Sequence, residues 1–430
     1  MDIPQLYDIF KKHPVITSDT RNCPEGSIFF ALRGASFNGN DFAKQALDKG
    51  CAFAVVDDPS VEGDERIIHV DNALKAMQDL ATYHRRQFSI PVIEVTGTNG
   101  KTTTKELMAA VLGKKYDVLY TEANYNNHIG VPKTLLRLNK EHDIAIIETG
   151  ANHPGEIKTL ANIVEPTCGI ITNVGKAHLE GFGSFEGVVH TKGELYDYLR
   201  SRKDSFIFLH ADNQYLKPIA HGLKAFTYGA PGKGYDVEGE TICCNPYLKM
   251  KWRRNCGEWH EVQTQLIGAY NVFNALAAAS AGIKFGVDEQ DISRALSEYK
   301  PTNNRSELLK TERNELIVDA YNANPTSMKA ALENFSLMQS PQKMAILGEM
   351  RELGESSAEE HKLVVAEAER TGCKEIWLVG ENFRPYAGSH RFFANESEVE
   401  KALAANPLTG HLILIKGSNG TKLFKLPALL

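Results

Sequence analysis

Residues 92–104 read VIEVTGTNGKTTT, an apolar β-branched run that breaks into a glycine-rich turn and then a lysine with three threonines. The helix-forming stretch KELMAAVLG continues from there. This order predicts a strand, a phosphate loop and a helix. Gly97 and Gly100 permit the backbone angles that turn successive N–H groups toward one anion, and the helix starting near Lys101 adds the positive end of its dipole. The candidate cradle for a triphosphate is therefore Gly97, Thr98, Asn99, Gly100, Lys101, Thr102 and Thr103. Lys101 would reach the outer phosphates, and the Thr102 hydroxyl would ligate a magnesium ion bridging them. The loop is short: the common pattern puts its first glycine five residues before the second, a place held here by Val95. An ordinary Gly-Asn turn is the alternative, but it needs no lysine and hydroxyl pair at this offset.

A chain of 430 residues exceeds one ordinary core and predicts two or three domains. Residues 1–88 alternate short apolar strands (SIFFAL, CAFAVV, RIIHV) with helical stretches, which reads as a small α/β domain. Residues 89–300 carry nearly continuous apolar runs (VIEVT, DVLYT, DIAIIET, CGIITNV, SFIFL) separated by helix-length segments, the pattern of a mostly parallel sheet covered on both faces. Ligands of such sheets bind at the carboxyl ends of the strands. Residues 235–266 turn to short strand-like pieces, an expected antiparallel flap on that core. After the linker-like PTNNR, residues 301–430 form a third alternating series of Rossmann-like type, so the linker suits a hinge between lobes that close on substrate. The expected fold is thus α/β in three domains.

The 48 basic and 54 acidic residues are well mixed and give a net charge of −6, which offers no broad surface for nucleic acid or anionic lipid. A small-molecule partner fits better. Seven cysteines without CxxC spacing read as buried hydrophobes in a reducing compartment. With neither a signal-like N-terminus nor a membrane-spanning apolar run, a cytoplasmic monomer that is not inserted in a membrane is expected.

Two further residues suggest chemistry. Glu148 ends the apolar run DIAIIE, and His178 lies beyond the end of CGIITNV, so both are expected to point into one crevice above the phosphate loop. A carboxylate and an imidazole beside bound triphosphate suit a magnesium or manganese site. Taken singly, each is more often a surface capping group or a satisfied core residue than a ligand, and it is the two placements in one domain that favour a site.

At this point the ordered phrases VTGTNGKTTTKE, ETGANHPGEI, TNVGKAHLEGFGS, TKGELY, GAYNVFNALAA, NNRSE, DAYNANPTSM, LGEMRELGE and IKGSNG resemble those of the Mur ligases. With SDTR, ALRG, FNGNDF and NYNNHIGVP, the resemblance covers essentially the whole chain. It is strongest to the member that adds D-alanyl-D-alanine to UDP-N-acetylmuramoyl-tripeptide. Those two molecules and ATP are the substrates it implies. Under the resemblance, Lys101 binds phosphate, and Thr102, Glu148, His178 and Lys192 serve two magnesium ions, Lys192 as a carbamylated lysine. Lys101, Lys192 and His178 are the implied catalytic residues. Asn271 is the implied adenine partner with Asn274 in support, Arg305 the linker arginine on the nucleotide phosphates, and Asp319 the ribose partner. Asn322 and Asn324 suit the dipeptide's polar ends. Ser18, Thr20, Arg21 and the loop at Asn38 match the uridine diphosphate site, and Asn124, Asn126 and Asn127 are candidates for gripping the peptide. His128 stands where the family carries an acidic residue.

Simpler readings remain beside several of these. Asn271 could be a helix N-cap, Asn322 and Asn324 a capping turn before Pro325, and Arg21 and Lys192 solvated surface cations. Rival functions are another Mur-type amino-acid ligase, a folylpolyglutamate synthase-like ligase, and an ATP-dependent switch that ligates nothing. The first commonly carries a DNPR phrase and the second lacks the N-terminal uridine-type domain, whereas the switch has no need of TKGELY, NNRSE and DAYNANP together.

Overall fold

The computed structural model describes residues 1–301 and 307–430. Three sheets organise it. The N-terminal sheet is four-stranded and parallel, in the order Ile16–Thr17, Ile28–Phe30, Phe53–Val56 and Ile67–His69. Two of its helices show the expected end signals. Asp2 and Gln5 form a capping box on Ile3–Phe10, and Asn72 caps Ala73–Arg85 by accepting from the Lys75 N–H.

The central sheet has nine strands. From its centre to one edge it runs Phe206–His210, Cys168–Ile171, Val92–Thr96, Ile144–Glu148, Val118–Tyr120, all parallel. The chain leaves the phosphate-loop strand Val92–Thr96 toward one edge, returns through Ile144–Glu148, and then continues on the other side with Cys168–Ile171. The carboxyl end of Val92–Thr96 is therefore a topological switch point, where the loops on either side diverge and leave a crevice. Every residue of Val92–Thr96 and Ile144–Glu148 is buried, as continuous apolar runs in a two-sided sheet require.

The expected flap is instead part of this sheet. Val237–Cys244 pairs in parallel with Ala225–Gly229, and Tyr247–Arg254 and His260–Ile267 extend the same sheet antiparallel. The alternating burial along Tyr247–Arg254 gives it one apolar face, and the Ala-rich helix Asn271–Lys284 shares one core with it.

The C-terminal sheet runs Glu307–Lys310, Glu315–Asp319, Leu412–Lys416, Lys343–Gly348, Glu375–Val379, Arg391–Phe393. Its first pair is antiparallel and the rest parallel. The edge strands Glu307–Lys310 and Arg391–Phe393, four and three residues long, are too short to stand out in the sequence.

The three units are joined differently. One apolar core contains Leu6, Phe10, Ile28 and Leu80 of the N-terminal unit together with Val92, Leu135, Ile147 and Leu160 of the central one. Among the described residues, the cores of the C-terminal unit take from the central unit only Ile267 as a fully buried member, with Tyr247 packed alongside. Polar pairs such as Asn99–Asn324 and Lys176–Glu360 also cross the junction between those two units.

Candidate active site

The phosphate loop is braced by its neighbours. Gly97 and Gly100 have φ of 141° and 76°. A Cβ on Gly97 would lie 2.1 Å from Thr172 Oγ1, and one on Gly100 would lie 2.6 Å from Asn274 Oδ1, so both positions exclude a side chain. Thr172 Oγ1 and Asn173 Nδ2 donate to the Asn99 carbonyl at 2.6 and 2.9 Å, while Asn99 N–H donates to Asn173 Oδ1 at 3.0 Å. Thr172 and Asn173 were missed from the sequence, because a loop's brace comes from a strand end with no motif of its own. Gly100 precedes the helix Lys101–Leu112 in the left-handed region and supplies no side-chain cap. The leading N–H groups of that helix thus face the crevice as an anion site. Lys101 Nζ folds over the loop and donates to the carbonyls of Gly97 and Thr98 at 2.8 and 3.0 Å.

A cleft of about 1000 Å³ opens here between the central and C-terminal units. It is lined by Thr98–Thr103, Asn126–His128, Glu148, His178, Asn271, Asn274, Asp319 and Asn322, together with Tyr270, Tyr299, Tyr321 and Lys416. The structure therefore brings together candidates from segments more than 200 residues apart. Arg305 lies outside the described residues.

The donors around the loop match a divalent cation. Thr102 Oγ1 and Glu148 Oε2 are buried polar atoms with no hydrogen-bond partner among the described residues. Such orphans are costly unless something binds them. Glu148 Oε1 accepts from Asn126 Nδ2 at 2.8 Å, which orients the carboxylate. Lys105, fully buried, places Nζ 3.9 Å from Glu148 Oε2 and 3.5 Å from Glu106, and donates to the Thr121 carbonyl at 2.6 Å. Tyr299, just before the linker, donates to Glu106 at 2.6 Å. His178 takes a left-handed backbone (φ 50°) beyond its strand, and its Nδ1 pairs with Glu352 of the C-terminal unit. Burial holds the His178 pKa below the ordinary value against the opposing pull of Glu352.

Lys192 is no solvated surface lysine. Helix Phe185–Arg200 buries it behind the cleft wall, where Nζ donates to the Ala151 carbonyl at 3.3 Å and lies 5.3 Å from the centre of the Phe182 ring. Desolvation, followed by the nearby Lys101 charge, lowers its pKa to about 7.

On the nucleoside side, Asn271 is the first residue of its helix, with Tyr270 before it at the cap position and no side-chain cap bond there. The N-cap alternative for Asn271 is thereby set aside. Its amide donates to the Ile267 carbonyl at 2.8 Å and accepts from Asn274 Nδ2 at 2.7 Å, while Asn274 Oδ1 accepts from Thr104 at 3.1 Å. The buried pair is thus tied to the phosphate-loop helix. Asp319 accepts from Lys416 Nζ at 2.6 Å. Lys416 ends the apolar run HLILIK, and its cleft position depends on a parallel pairing that the run alone does not announce.

Other candidates fall elsewhere. Asn324, expected at the dipeptide, caps helix Pro325–Leu337 with Ser327 and bonds Asn99 across the domain junction, so its amide is already engaged and it does not line the cleft. Asn322 does line it, with Oδ1 accepting from the Ala323 N–H. Asn127 Oδ1 accepts from the Ile129 and Gly130 N–H groups, and Asn124 lies outside the lining. Ser18, Thr20, Arg21 and Asn38 belong to the N-terminal unit and do not line this cleft. Ser18 accepts from Lys133 Nζ at 2.6 Å, the Thr20 carbonyl from Lys49, and Asn38 Oδ1 from Asn40. Arg21 is turned outward with its side chain 90% exposed and is paired with Asp19. Beyond the parallel strands of that unit, Asp57 gathers Arg33 and Asn40 at 2.9 and 2.8 Å, an arrangement the sequence did not single out.

Among the described residues no helix is long and apolar enough to cross a membrane. Three family models match the chain. They are the Mur ligase family catalytic domain over residues 14–85, the Mur ligase middle domain over 95–282, and the Mur ligase glutamate ligase domain over 304–419. A UDP-N-acetylmuramoyl-tripeptide--D-alanyl-D-alanine ligase of Bacillus subtilis is 34% identical over 95% of this chain and 91% of its own length. Among solved structures, MurF from Acinetobacter baumannii superposes with a TM-score of 0.87 at 30% identity, covering 96% of this chain and 92% of that one. MurF of Thermotoga maritima in complex with ADP superposes at 0.84 with 24% identity and 96% of each chain covered.

Proposed function

The chain belongs to the Mur ligase family, and from that premise we propose that it is an ATP-dependent ligase joining D-alanyl-D-alanine to UDP-N-acetylmuramoyl-tripeptide, which yields the pentapeptide precursor of peptidoglycan. The observation that carries the assignment to this cleft is the pair of buried oxygens without a hydrogen bond among the described residues, Thr102 Oγ1 and Glu148 Oε2, beside an anion-binding loop. A site built for triphosphate and cation together needs that combination.

In the reaction we propose, a terminal carboxylate oxygen of the tripeptide attacks the γ-phosphorus of ATP. The bond from that phosphorus to its bridging oxygen breaks, and ADP leaves. The amine of D-alanyl-D-alanine then attacks the acyl carbon, phosphate departs with the bonding pair, and the nitrogen gives up a proton. The loop N–H groups and Lys101 hold the phosphates, and Asn271, Asn274 and Asp319, with Arg305 from the linker, would seat the nucleoside and its phosphates. Thr102, Glu148, His178 and Lys192, the last after carbamylation, would hold two magnesium ions, which when bound neutralise charge between polyphosphate and incoming carboxylate. A Lys192 pKa near 7 supports the carbamate, because only the neutral amine attacks carbon dioxide. Asn126, Asn127 and His128 would meet the peptide, and Asn322 the dipeptide. Ser18, Thr20, Arg21 and Asn38 remain our proposed uridine diphosphate residues, their hydroxyl and guanidinium donors being suited to a diphosphate. We propose that the enzyme works as a monomer in the cytoplasm.

The discriminating experiment supplies ATP and magnesium with each substrate alone and then with both. Phosphate release and a product of pentapeptide mass that require both substrates support the ligase. Release indifferent to both would favour a nucleotide switch.

A further inference from the structure

We infer that Glu352 is a positioning residue which the C-terminal domain carries to His178, so that domain closure completes the cation site of the central domain. The inference rests on the metal-binding role proposed above for His178. Glu352 follows the strand Lys343–Gly348 of the C-terminal sheet, whereas His178 follows the strand Cys168–Ile171 of the central one. Their side chains pair through His178 Nδ1.

The contact is built at two levels. The Glu352 carbonyl also accepts the Glu180 N–H at 3.2 Å, so backbone and side chain both engage the loop that holds His178. Both residues take left-handed backbone conformations, with φ of 50° at His178 and 60° at Glu352, which non-glycine residues seldom adopt without a surrounding reason. Two residues after Glu352, Gly354 (φ 53°) lies so near Glu180 that a Cβ placed there would be 3.6 Å from the Glu180 Cα. The Phe182 ring stands edge-on to the imidazole with centroids 6.2 Å apart, which fixes the ring plane from the central side.

The chemistry follows from the two nitrogens. A carboxylate accepts a hydrogen bond from Nδ1–H, which fixes the tautomer and leaves the lone pair on Nε2. Metal-binding histidines are oriented by such partners as a rule, and loss of the partner weakens metal binding about 10- to 100-fold. Here the partner comes from a different domain. An open enzyme would leave the His178 tautomer unset, and closure would set it. A second pair across the same junction, Lys176 Nζ to Glu360 at 2.6 Å, holds the domains without touching the imidazole and provides the control.

The test is Mn²⁺ binding followed by electron paramagnetic resonance, with a non-hydrolysable ATP analogue and UDP-N-acetylmuramoyl-tripeptide present. Wild type, Glu352→Gln, Glu360→Gln, His178→Ala and the double variant Glu352→Gln/His178→Ala are compared. Expected are about tenfold weaker binding in Glu352→Gln, a change below about twofold in Glu360→Gln, and no further loss when Glu352→Gln is added to His178→Ala. Unchanged affinity in Glu352→Gln, or an equal loss in Glu360→Gln, would overturn the inference while leaving His178 as a ligand. Unchanged affinity in His178→Ala would overturn the ligand role and the inference with it.

Discussion

Lys192 takes its chemistry from burial. An ordinary lysine, with a pKa of about 10.4, is almost wholly charged at neutral pH, whereas near 7 about half the molecules carry a neutral amine. Lys192→Ala should lose at least about 100-fold in ligation rate and regain part of it with short-chain carboxylates such as acetate, which fill the space a carbamate would occupy. Full activity without supplement would remove the carbamate from the account. Glu94 shows burial acting on an acid. It sits fully buried in the phosphate-loop strand, where desolvation raises its pKa to about 8 and the Thr149 hydroxyl donates to it at 2.8 Å. Because its folded pKa exceeds the unfolded one, its contribution to stability is complete below about pH 4.5 and is lost as pH rises toward about 8. Wild type should therefore lose a few kcal/mol relative to Glu94→Gln between pH 4.5 and 8.5, read from denaturant midpoints at each pH. Parallel pH curves for the two proteins would contradict this. The sequence made Lys101, Thr102 and the two glycines legible because their chemistry depends on local spacing. It could not reveal Glu352, whose partner lies 174 residues away, or show that the Asn324 amide is committed to a helix cap and to Asn99.

The strand, loop and helix of residues 92–112 form the most legible unit, since apolar run, glycines and helix formers agree on one structure. What holds the loop open to an anion is less visible: Thr172 and Asn173 at the end of the adjacent strand grip Asn99, and Asn274 on a distant helix fills the space beside Gly100. Gly97→Ala should accordingly weaken ADP binding by at least about tenfold, or ~1.4 kcal/mol, in isothermal titration, with far-ultraviolet circular dichroism unchanged. Its Cβ would press on Thr172 and its φ of 141° is strained for alanine. Wild-type affinity would mean that the loop does not hold the phosphates as described. The three strands after residue 236 were legible as strands but not as a continuation of the central sheet, because so short a connection ordinarily joins antiparallel strands, whereas Val237–Cys244 pairs in parallel with Ala225–Gly229.

The distribution of apolar surface divides the molecule into two working parts. The N-terminal and central units share a core and should move as one body, while the C-terminal unit meets the central one at Ile267 and Tyr247 and through the polar pairs Asn99–Asn324, Lys176–Glu360 and His178–Glu352. Polar contacts of this kind form and break at small net cost, which suits a lobe that must open for substrates and close for chemistry. Alternating strands and a polar linker made three α/β units legible, but which of them share a core depends on tertiary packing. The cleft between the two bodies is where the account locates acyl transfer. Its central claim is tested most directly with UDP-N-acetylmuramoyl-tripeptide carrying ¹⁸O in its terminal carboxylate. With ATP, magnesium and D-alanyl-D-alanine present, mass spectrometry should find one ¹⁸O atom in each released phosphate, matched by pentapeptide formed. Phosphate free of ¹⁸O beside normal pentapeptide would contradict the acyl-phosphate route, and phosphate released without pentapeptide would contradict the ligase itself.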